Sequence, residues 1–116
     1  MITNTAQTEA VLGHGLESFV ATELDAIMSD YTEDFVLNTQ NQTCKGLAEI
    51  RSFFWAMFPA VTPKFLATFN MAKQAVSGDV AYTAWSVKVF FALGIDTLVI
   101  KNGKISVQAF AAHPAG

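Results

Sequence analysis

The chain has 116 residues, enough for one domain (1–116) with one core and too few for a second. Hydrophobic residues make up 52% and charged residues 15%, an apolar excess that asks for a ligand cavity or an oligomer interface beyond the core. The net charge is −3, with seven scattered Lys and Arg and one cysteine, which excludes a phosphate-tracking basic stripe, an internal disulfide and a zinc cluster.

The opening "MITNTAQTEA" is polar, without a charged-then-apolar leader, and no apolar run is long enough for a bilayer. These features set the expectation of a cytoplasmic protein with no nucleic-acid or membrane partner. Leu12, Leu16, Phe19 and Val20 recur at helical spacing, although Gly13 and Gly15 weaken that helix. "TELD" (22–25) resembles a capping box with Thr22 as the cap. Leu24, Ile27, Met28 and Tyr31 then predict a second helix face. "DFVLNT" (34–39) predicts a short strand. In "GLAEIRSFFWAMFP" the residues Leu47, Ile50, Phe53, Phe54, Met57 and Phe58 form a helical stripe that Pro59 ends.

From residue 64 the period changes to that of strands. "KFLATFNMAKQAV" and "DVAYTAWSVKVFF" predict two strands joined at "SGD". "IDTLVI" and "KISVQAF" flank Asn102-Gly103, a two-residue hairpin signal in which both positions need positive φ. Three helices, a small strand between the last two and four long antiparallel strands make an α+β domain with helices on one face of a curved sheet. In the strand around residue 85, Thr83, Trp85, Val87 and Val89 alternate with Tyr82, Ala84, Ser86 and Lys88. The more apolar set, Trp85, Val87 and Val89, is expected on the outer sheet face, where a second copy would cover it as a homodimer.

The passages "LDAI…DYTEDFV", "KGLAEIRSFF" and "IDTLVIKNGKI" resemble the nuclear transport factor 2-like superfamily, in its SnoaL-like and ketosteroid-isomerase-like branch, over residues 8–112. The resemblance implies a cystatin-like cone: a curved antiparallel sheet with three N-terminal helices on its concave face. It also implies an apolar pocket. Set against the isomerase pattern, the position of the catalytic aspartate base matches Thr39, which cannot abstract a carbon-bound proton. The oxyanion-hole tyrosine falls on or beside Gly15, and a supporting tyrosine matches Phe54. The second oxyanion-hole group, a protonated aspartate, matches Asp96. True steroid isomerase activity is therefore not expected.

Read from the residues alone, Asp96 is either a solvated strand-start residue after Gly94 or the polar floor of a pocket. If it points inward, Leu98 and Ile100 follow it by period two. A carboxyl so placed would have a raised pKa. His14 either stands in for the missing tyrosine or faces water, and Tyr31 either packs in the core or touches ligand. With the resemblance, the candidate catalytic residues are Asp96 and His14. The candidate ligand contacts are Tyr31, Leu37, Thr39, Phe54, Phe58, Leu98, Gln108 and Phe110. No metal or cofactor is expected. The expected partner is a small apolar molecule, with isomerase, cyclase or hydrolase action as the matching chemistry. The alternative is a non-catalytic binding or protein-interaction domain of the same fold, its cone filled by its own side chains.

Overall fold

Helix α1 (Asn4–Val20) and the five-residue α2 (Leu24–Met28) lead into strands β1 (Tyr31–Thr39) and β2 (Thr43–Lys45). Helix α3 (Gly46–Met57), a 3-10 turn (Phe58–Ala60) and α4 (Pro63–Thr68) precede β3 (Phe69–Ser77), β4 (Val80–Val87), β5 (Phe91–Lys101) and β6 (Lys104–Pro114). The structure, a computed structural model, describes residues 4–88 and 90–114. The strands form one curved sheet in the order β2-β1-β6-β5-β4-β3, antiparallel throughout except that β1 runs parallel to β6. The fold is the expected α+β cone.

Local chemistry explains most of these elements. Asn102 and Gly103 take φ of 53° and 77°, the mirror-image turn that matches strand twist, so β5 and β6 pair as a tight hairpin. The stripe on α3 puts Ile50 and Phe54 into the core, where Phe35, Leu37 and Ile100 are also fully enclosed. Each such side chain contributes about 1.5–3 kcal/mol of burial. The N-terminal end of α1 is pinned to the β3–β4 turn, because the Thr8 hydroxyl donates to the Gly78 carbonyl at 2.7 Å and Thr5 Oγ1 accepts from the Gly78 amide at 3.2 Å.

Four expectations are corrected. Tyr31 opens β1 rather than lying on α2, and Thr22 has a positive φ of 52° and caps nothing. The segment from Lys64 starts as helix: Pro63 fills the first helical position, and the Thr62 hydroxyl accepts from the Phe65 amide at 3.2 Å. The fourth correction concerns the β4 faces. Trp85 is 8% exposed and Val87 0%, so both point into the concave side, and Val89 lies outside the described residues. The alternation was legible, but the more apolar set belongs where the helices cover it. Among the described residues no helix is long and apolar enough to cross a membrane.

Candidate active site

Strand β5 brings Asp96 to the concave face with Leu98 and Ile100, both buried, as period two requires. One strand away, Trp85 pairs across from Gly94. A Cβ at Gly94 would overlap the indole ring, so only glycine there lets Trp85 lie across β5. Lying so, its Nε1–H donates to Asp96 Oδ2 at 2.8 Å. Phe110 stacks on the indole at 6.0 Å between centroids, and Phe91 meets it edge-on at 5.9 Å. These two ring contacts and the hydrogen bond fix the orientation of the indole.

On β6, Gln108 Nε2 donates to Asp96 Oδ1 at 2.9 Å, while its Oε1 accepts from the Tyr31 hydroxyl at 3.2 Å. A carboxylate accepts only, so it fixes which end of the amide faces it and leaves the carbonyl for Tyr31. The result is a directed chain, Tyr31 to Gln108 to Asp96, with Trp85 closing the far oxygen. Burial raises the Asp96 pKa above the usual carboxylate value; the donors Trp85, Gln108 and Thr83 oppose that shift without cancelling it. Burial also raises the Tyr31 phenol, helped by the charges of Asp96 and Asp30, so Tyr31 stays a protonated donor.

These groups sit in the wall of a cavity of about 440 Å³, within the usual size range for small-molecule sites. Its apolar walls come from α1, the end of α3 and the sheet, with Leu12, Phe19, Phe53, Met57 and Met71 among them. Asp30, in the turn before β1, lines the cavity as well.

Of the residues singled out in the sequence, Asp96, Tyr31, Leu37, Phe54, Leu98, Gln108 and Phe110 come together around this cavity. Three do not. Phe58 packs against Phe19 and Trp55 instead. Thr39 is withdrawn into a turn, where its hydroxyl accepts from the Asn41 and Gln42 amides, and it lines a smaller neighbouring pocket. His14 is exposed on α1 outside the cavity lining. Its Nδ1 meets Asp30 Oδ2 at 2.6 Å, a contact that raises the histidine pKa. Trp85, Thr83 and Asp30 belong to the site and were missed. For the first two the signal was present, since the apolar face of β4 is the one that should have been taken as core.

Residues 14–108 match the family profile of the SnoaL-like domain. No curated protein matches the chain. Among solved structures, a candidate ketosteroid isomerase of Kribbella flavida superposes with a TM-score of 0.76 at 15% identity, covering 100% of this chain and 84% of that one. A nuclear transport factor 2-like protein of unknown function from Mesorhizobium loti gives 0.76 at 16% identity, covering 97% and 95%. An LEH-like epoxide hydrolase of M. tuberculosis gives 0.68 at 11% identity, covering 93% and 84%. At such identities the likeness is one of fold.

Proposed function

The chain belongs to the SnoaL-like domain family, and on that premise we propose that it binds a small apolar molecule inside the cone and moves a proton on it through Asp96. The observation that carries this reading is a carboxyl with a raised pKa, held by two N–H donors in the wall of an otherwise apolar cavity. In its protonated form the carboxyl donates to a ligand oxygen and stabilises charge developing there. In its ionised form it takes a proton from water or from an acidified C–H. Trp85 and Gln108 keep its position through the exchange, and Tyr31 polarises Gln108 from behind.

Isomerisation, cyclisation and hydrolysis of a ring-sized apolar substrate all suit this arrangement. Isomerisation of a ketosteroid by a base at Thr39 does not. That hydroxyl is an ordinary alcohol held in its own turn, away from the main cavity. Native mass spectrometry of the protein purified from its own host identifies the bound molecule, and Asp96→Asn then separates chemistry from binding. Turnover should fall by about 10²-fold or more with affinity nearly unchanged. Parallel loss of both, or no turnover in either protein, would leave a binding domain.

We also propose that the convex sheet face meets a second copy of the chain. Three cross-strand rows stand on it, Val80–Val99–Val107, Tyr82–Thr97–Ala109 and Ala84–Ile95–Ala111, and none carries a charge. Val80 and Val107 are 43% and 39% exposed. On the central strands β4, β5 and β6 these rows are uncharged, with Lys73 and Lys45 standing only where the face continues onto β3 and β2, so two copies can meet over the centre across a two-fold axis without desolvating a charge there.

A further inference from the structure

Beside the main cavity lies a second one of about 250 Å³, formed by the Thr39–Gln42 loop and the end of β6. Phe53, Phe91 and Phe110 line both cavities, so these three rings are the partition between them. The two spaces differ in chemistry. The main one is apolar around the Asp96 network, whereas the second pairs aromatic rings with a neutral polar loop.

The loop is built so that two of its amides remain available. Gln40 is tied to β6: its Nε2 donates to the Ala112 carbonyl at 2.6 Å, and its Oε1 accepts from the Ala112 amide at 3.2 Å. With the Thr39 hydroxyl bonding across the turn, these contacts lock the loop against β6. The Asn41 and Gln42 side chains are exposed and have no hydrogen-bond partner among the described residues. Each carboxamide offers two donors and an acceptor without charge.

We propose that the ligand is bipartite. Its apolar ring body fills the main cavity, and an uncharged hydroxylated arm of the sugar type passes between Phe53, Phe91 and Phe110 to Asn41 and Gln42. This rests on the cavity reading above and adds the class of ligand to it. Charge decides against an acidic arm. Neither lining contains a Lys, Arg or His, while Asp30 and Asp96 line the main cavity. An anion would enter unpaired and be repelled. A hydroxylated ring suits the second space, because its C–H faces lie on aromatic rings while its hydroxyls bond to the amides.

The test uses the full chain and three probes of one body: naphthol, naphthyl β-glucoside and naphthyl β-glucuronide, followed by calorimetry. The glucoside should bind about tenfold more tightly than naphthol, the gain of one or two net hydrogen bonds. The glucuronide, of nearly the same size but with a carboxylate, should bind no better than naphthol. A double variant, Asn41→Ala with Gln42→Ala, should bring the glucoside down to the affinity of naphthol and leave naphthol itself unchanged. Neither side chain supports the fold, so the variant reports on binding alone. If naphthol binds and the glucoside is no tighter, if the glucuronide equals the glucoside, or if the double variant weakens both probes alike, the second-pocket assignment is overturned and the main cavity stands. If naphthol does not bind at all, the cavity reading fails and this inference falls with it.

Discussion

Burial makes the native state hold the Asp96 proton more firmly than the unfolded chain does. A group whose native pKa is raised stabilises the fold fully below its unfolded value, near 3.8, and loses that contribution as pH rises through the native value. Asp96→Asn keeps an acceptor for the Trp85 N–H and removes the titration. Urea melts across a pH series should therefore show the wild type losing stability relative to the variant as pH rises; the opposite slope would mean that the carboxyl is stabilised as an anion. Gly94→Ala probes the same group from the neighbouring strand. The added methyl displaces the indole, costs about 1–3 kcal/mol through overpacking and releases Asp96 Oδ2. The indole N–H resonance in an NMR titration should then stop following the Asp96 proton. His14 moves in the same direction for a different reason, the Asp30 hydrogen bond. The pair stabilises below the unfolded histidine value of 6.5 and is lost as pH rises through the raised native one. Asp30→Asn should lower the His14 pKa, read by NMR titration of the imidazole.

Helix α4 shows how a short element depends on one local bond. Its cap is the Thr62 hydroxyl, so Thr62→Ala should lower stability by about 1 kcal/mol, read from equilibrium denaturation. The same helix shows why the sequence was only partly readable. "KFLATF" passes for a strand on its aromatic and β-branched residues, and six residues are too few to establish a helical period; only Thr62-Pro63 carried the signal. Tyr31 fits the seven-residue spacing of a helix face, yet α2 is five residues long and ends before it. By contrast, the β5–β6 hairpin and α3 were legible, because a two-residue turn needing positive φ and a six-residue apolar stripe each leave little choice. Within the site, Asp96, Leu98 and Gln108 followed from period two once the hairpin was placed, with the family resemblance supplying the inward direction. Trp85 did not, because choosing the outer face by polarity presumes one covered side. Here the covered side also holds a cavity and is the more apolar for it. Thr39 was lost to a turn that its own hydroxyl builds, an effect that strand periodicity does not contain.

The proposed pairing of two convex faces is testable on the intact protein. Thr97 stands in the middle row, so Thr97→Lys would place a charge at the centre of each copy's surface and set the two against each other. Light scattering should move from a dimer mass to a monomer mass, while naphthol affinity stays the same because Thr97 faces away from the cavity; a monomeric wild type would end the proposal. The order of the strands has a further consequence. β6 is the last strand along the chain, yet it sits near the middle of the sheet, parallel to β1 and antiparallel to β5. During translation β1 is made early and can pair with β2 at once, but its other edge must wait for β6 while some sixty-five intervening residues emerge. The β3–β5 meander can assemble as it leaves the ribosome, but the two halves of the protein have no shared sheet until the final strand arrives. Until then the nascent chain carries an unpaired strand edge, open to chaperones and proteases alike.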